Sequence, residues 1–82
     1  MILDSVSVVV CYTKVTRNSG DYYYKAEFME DKVFYGTGAA SDARDAKLAA
    51  SEMNGMYKTP ERHYGAVRMF YEDAVKEGLL NV

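Results

Sequence analysis

The stretch Ser5–Thr16, SVSVVVCYTKVT, constrains this chain more than any other. Its β-branched side chains lose rotamer freedom in a helix and pack well on a pleated surface, so it is expected as a strand. Alternation then puts Val6, Val8, Val10 and Tyr12 on one face. The cluster Arg17-Asn18-Ser19-Gly20-Asp21 follows; Asn and Gly tolerate positive φ, and Ser and Asp bond back to nearby amides, so a turn is expected there. A second strand is expected over residues 22–29, with Tyr22, Tyr24, Ala26 and Phe28 toward a core and Tyr23, Lys25, Glu27 and Met29 outward. Glu30-Asp31-Lys32 reads as a tight polar turn, and Val33-Phe34-Tyr35 as the start of a third strand. Turns this short join neighbours, which makes the sheet an antiparallel meander.

The rest of the chain reads as helix. Gly36-Thr37-Gly38 breaks the strand, and Ser41 or Asp42 is expected to cap a helix over 42–57. Its stripe of Ala46, Ala49, Ala50, Met53 and Met56 or Tyr57 suits a helix lying close on a sheet, and Asn54-Gly55 either ends it early or is tolerated inside. Thr59-Pro60 is a good helix start, and a second helix is expected over 60–78 with Val67, Phe70, Tyr71, Ala74, Val75 and Leu79 on its apolar face. Arg68/Glu72 and Glu72/Lys76 would pair along it, and Gly78 would stop it. The expected fold is α+β: one domain over 1–82, a three-stranded antiparallel meander followed by two helices packed on one face (β-β-β-α-α).

Composition excludes several functions. Cys11 is the only cysteine and His63 the only histidine, so no zinc spacing exists and no disulfide can form within the chain. Cys11 lies inside an apolar run, a poor place for an activated thiolate, so a Cys–His dyad is not expected. Gly36-x-Gly38 lacks the third glycine of a dinucleotide fingerprint and the Lys-Ser/Thr of a P-loop. No catalytic residue, metal or cofactor is therefore expected. The residues from Met1 to Ser7 carry no basic segment of a secretory signal, and no apolar run reaches the roughly 18 residues a membrane span needs, so an intracellular, cytoplasmic protein is expected.

Net charge is −2 and evenly spread: residues 1–41 carry four basic and five acidic side chains, residues 42–82 six and seven. Any polyanion site must therefore be a local patch. Eight tyrosines and no tryptophan favour half-buried sheet faces and contact surfaces, since a tyrosine is apolar at one end and wet at the other.

The segment 22–53 carries the most information. It runs strand, acidic turn, strand, Gly36-x-Gly38, then a helix with Arg44 and Ala46-Lys47-x-Ala49-Ala50. This resembles the C-terminal half of double-stranded-RNA-binding domains, where a strand pair leads through Gly-x-Gly to a helix carrying Ala-Lys-x-Ala-Ala. The resemblance implies that Arg44 and Lys47 contact phosphate and that Arg17, Asn18 and Ser19 form the loop entering a minor groove. The last helix would take the place of that family's N-terminal helix. A nucleic-acid role makes one patch of Lys14, Arg17, Lys25, Arg44, Lys47, Lys58 and Arg62.

The run Tyr22-x-Tyr24-Lys25-Ala26 to Tyr35-Gly36-Thr37 is also similar to the strands of plant AP2-type and phage-integrase arm-binding DNA domains. In that reading the sheet face with Tyr23, Lys25 and Lys32 enters a DNA groove. RNA binding ranks first. The alternative is a protein-binding inhibitor or regulator, or a homodimer, motivated by the acidic balance and the apolar last helix. The small size suits a phage or mobile-element accessory protein.

Overall fold

Val6, Val8, Val9 and Val10 are all buried, so the first strand is covered on both of its faces rather than one. This follows from its place in the sheet. The computed structural model describes residues 5–36 and 41–80, and in it β1 (Ser5–Thr16) is the central strand of an antiparallel sheet of order β2-β1-β3. Its partners are β2 (Tyr22–Tyr35) and β3 (Arg62–Phe70); the helices are α1 (Ser41–Tyr57) and α2 (Tyr71–Lys76). A near-continuous apolar run, without strict alternation, is what a strand buried on two faces needs.

The class is the expected one, α+β with a three-stranded antiparallel sheet and two helices. β1 rather than β2 is the central strand, so the sheet is not the expected meander, and further assignments change. Glu30-Asp31-Lys32 does not turn the chain: Val10 pairs with Phe28 and Val8 with Val33, so residues 29–32 bulge outward opposite Val9 and the strand resumes in the same direction. A bulge exposes a polar segment as well as a turn does, and sequence pattern alone does not separate them. Residues 33–35 therefore belong to β2. The third strand is 62–70, where apolar spacing predicts helix; only 71–76 are helical there. Thr59 and Arg62 form an isolated bridge around Pro60-Glu61, a tight turn that aims the chain back along β1. Gly38 and Thr37 lie outside the described residues.

Parity along β1 assigns the helices to different faces of the sheet and not, as expected, to one. Val9, with Cys11 beside it, packs with Tyr64, Phe34 and the α1 residues Ala49, Ala50 and Met53. Val6, of opposite parity, packs with Val33, Met69 and the α2 residues Ala74 and Val75, together with Leu79 and Leu80. The alanine stripe serves α1 as expected: Ala46 and Ala50 are fully or nearly buried. Gly78 also serves as expected. It adopts φ 74°, its amide bonds to Val75, and the Leu79 amide bonds to Ala74, a Schellman stop for α2.

Asn54 does not end α1 early. It protects the edge strand β3 instead: its amide nitrogen donates to the Tyr64 carbonyl (2.9 Å) and its oxygen accepts from the Tyr64 amide (2.8 Å). One side chain thus supplies the two bonds that a fourth strand would have made at this position. Replacing Asn54 with Ala leaves both groups unpaired in a half-buried site. Urea denaturation should show a loss of about 1–3 kcal/mol, and an unchanged midpoint would contradict this role.

Candidate functional site

Two places in the structure hold side chains with more than packing to do. The first anchors the start of α1. Asp42 is fully buried, and its Oδ2 accepts a 2.6 Å hydrogen bond from the Ser7 hydroxyl and one of 3.2 Å from Arg68 Nε. The Arg68 Nη2 also donates to the Ser5 hydroxyl (2.9 Å), closing a network across β1, β3 and α1. Asp42 therefore faces the sheet from the first helical turn, where the sequence suggests a cap. Arg68 pairs with Asp42 and not, as expected, with Glu72. Burial pushes the Asp42 carboxyl up, but the Ser7 hydrogen bond and the Arg68 charge outweigh it, and the pKa ends below the ordinary value. Gly36 closes the corner: a Cβ there would fall 2.5 Å from Ser5 Oγ and 3.0 Å from Asp42 Oδ1. A cleft of about 390 Å³ opens beside this network, lined by Ser5, Arg68, Met69 and Phe70.

The second place is the far end of the sheet. β1 and β2 continue past the end of β3 to the turn at 17–21, held by bonds from the Arg17 amide to Asp21 and from the Gly20 amide to Arg17, with Gly20 at φ 95°. The Ser19 hydroxyl and Arg17 both bond Asp21 and hold its carboxyl below its ordinary pKa. Cross-strand register puts Tyr12, Lys14, Tyr22, Tyr24, Ala26, Phe28, His63 and Gly65 on one face here, the face opposite α1. α2 packs only near Val6, so no described helix lies over these residues.

Their rings touch in series. Tyr22 meets Tyr24 edge-on at 5.8 Å, Tyr24 meets His63 edge-on at 5.0 Å, and His63 stacks on Tyr12 at 5.0 Å. Lys14 Nζ sits 4.2 Å above the Tyr22 ring. Gly65 makes room for the series: a Cβ would lie 3.1 Å from the Tyr12 ring. Tyr22 and Tyr24 are 54% and 44% exposed, so this is surface, whereas alternation alone assigns both to the core. Alternation sets the face correctly but does not reveal that no described element packs on this half of it.

Six of the eight expected binding residues gather at this end, though not on one face. Lys14 lies among the rings, and Arg17 and Asn18 lie in the turn, with Arg17 over the ring of Tyr23 at 4.9 Å. Lys25 and Arg62 both neighbour Thr13, on the opposite face, where Lys25 pairs with Glu27 at 3.3 Å. Lys58 adjoins the Thr59–Arg62 bridge. Arg44 and Lys47 are exposed on the first turns of α1, whose start is tied to Ser7. That places them about 30 Å along the strand direction from the turn at Arg17.

Of this site, sequence reasoning finds only Lys14: alternation assigns Tyr12, Tyr22 and Tyr24 to an apolar face, and apolar spacing places His63 in a helix. A signal for the strand is present: Gly65 inside the segment and the Val, Tyr and Phe content of RHYGAVRMF favour it. Cys11 and His63 stand on opposite faces of the sheet, and among the described residues no group of three or more His, Cys, Asp or Glu gathers. No described helix is long and apolar enough to cross a membrane. No protein-family model matches the chain, and no curated protein or solved structure matches it either.

Asp42 makes a pH-dependent prediction. A carboxyl with a folded pKa below its unfolded value, near 3.9, stabilises the fold above that value and loses the contribution as pH falls through the folded pKa. Arg68→Met strands a buried carboxylate, so its destabilisation should be large at pH 7 and shrink in acid, as the stranded group takes up a proton that the Arg68 charge otherwise opposes. Thermal melts of both proteins at pH 7 and in acid test this; an equal loss at both would contradict it.

Proposed function

We propose that this protein is a small, non-catalytic RNA-binding protein with a regulatory or accessory role. One observation carries the reading: an open sheet end where four rings touch in series and Lys14 lies over one of them, that of Tyr22. Aromatic faces stack on bases, and Lys and Arg neutralise phosphates. The position of Lys14 answers the objection raised by a net charge of −2, because a local patch needs no overall basic excess.

Titration of a labelled RNA at two salt concentrations tests the proposal. Lys14→Ala/Arg17→Ala should weaken binding and flatten the salt dependence by about 0.7–0.9 in log–log slope for each phosphate that is no longer neutralised. Absence of binding to single-stranded RNA, duplex RNA and DNA at low salt would overturn it.

A second reading, a protein-binding regulator or homodimer, draws on the exposed Leu48, Met56, Tyr57 and Phe70. A mass measurement in solution discriminates: a dimer that Met56→Ser/Tyr57→Ser converts to monomer would favour it.

A further inference from the structure

The ring series favours one form of nucleic acid. Resting on the RNA-binding reading above, we infer that the ligand is a single strand with its bases unstacked, held on the face of Tyr12, Lys14, Tyr22, Tyr24 and His63.

Three features of the structure lead there. The first is geometry. Tyr22 and Tyr24 are alternate residues of one strand, so their attachment points lie about 6.6 Å apart, and their ring centroids are 5.8 Å apart. Rings edge-on to each other offer separate faces at this interval, which suits bases spread along an extended backbone. A duplex keeps its bases stacked inside and presents backbone to a protein, so it makes no use of exposed rings.

The second feature is charge. On this face β1 contributes Tyr12, Lys14 and Thr16; β2 contributes Tyr22, Tyr24, Ala26 and Phe28; β3 contributes His63 and Gly65. None is acidic, although the chain as a whole carries more acidic than basic residues. Glu27 projects from the opposite face, paired with Lys25. Glu61 lies in the turn before β3, where its carbonyl accepts from the Lys14 amide. A neutral sugar would need no such exclusion of carboxylates, whereas a phosphate chain does.

The third feature is preorganisation. Each ring is already braced by a neighbour, and Gly65 leaves the space that lets Tyr12 reach His63. Ligand binding therefore orders few new side chains. Phe28, 37% exposed on the same face, extends the apolar platform toward the bulge.

The test uses the full chain, a fluorescein-labelled 12-nucleotide RNA of mixed sequence, and the same RNA annealed to its complement. The proteins are wild type, Tyr22→Leu/Tyr24→Leu, Tyr24→Phe and Arg44→Ala/Lys47→Ala, each checked for native fold by circular dichroism. Leucine keeps a strand-compatible apolar side chain, and phenylalanine keeps the ring. The inference predicts that the single strand binds at least tenfold more tightly than the duplex. It predicts a loss of roughly tenfold or more in the double leucine variant, little change for Tyr24→Phe, and little for the α1 variant. With no tryptophan in the chain, tyrosine emission should also fall on binding, and less so without Tyr22 and Tyr24. Equal or tighter duplex binding that the leucine variant leaves untouched and Arg44→Ala/Lys47→Ala abolishes would overturn the single-strand inference and leave the RNA-binding reading standing. Binding to neither RNA at low salt would overturn both.

Discussion

The fold depends on burying one strand from two sides. Val6 to Val10 are shielded on both faces, and everything else is arranged to shield them. Strands β2 and β3 satisfy the backbone of β1 laterally, α1 covers the face of Ser7 and Val9, and α2 with Leu79 and Leu80 covers the face of Val6. In a chain of 82 residues, where little surface can be hidden, a central strand is the most economical core. The Asp42–Ser7–Arg68 network fixes where α1 begins on it, and the Asn54 bonds to Tyr64 fix where its last turns lie.

The open end follows from a mismatch of lengths. β1 has 12 residues and β2 has 14, but β3 has 9 and α2 only 6. Beyond Val10 no described element lies above the face opposite α1. The molecule is accordingly long, 50 × 27 × 19 Å, with a radius of gyration of 14.2 Å against about 12 Å for a compact chain of this length. Aromatic rings are placed where the sheet outruns its helices. Their mutual packing hides part of each ring, and the remainder stays available. Tyrosine tolerates that half-wet position because its hydroxyl end is solvated.

Local rules succeed where local chemistry decides. The valine run makes a strand, Asn18 to Gly20 make a turn, the alanines seat a helix and Gly78 stops one. They fail where a long-range pairing decides. Whether Glu30-Asp31-Lys32 turns or bulges depends on what β1 needs opposite Val9, and no local residue encodes that. Residues 62–70 carry a helical spacing of apolar side chains, yet β1 has a free edge, and pairing with it buries Tyr64. The same ambiguity hides His63 among residues of helical pattern. The lysine and arginine positions near the turn are legible as a group from their nearness in sequence. The convergence of Tyr12, Tyr24 and His63 is not, because it needs the register of all three strands.

The proposal that the open end of the sheet holds an unpaired strand of RNA is tested most directly by residue-resolved NMR. Backbone amide shifts would be followed while unlabelled single-stranded RNA is added. Perturbations are expected to concentrate at residues 12–14, 22–28 and 62–65, with α1 residues 44–48 unmoved. Shifts confined to the start of α1, or none at all at low salt, would contradict it.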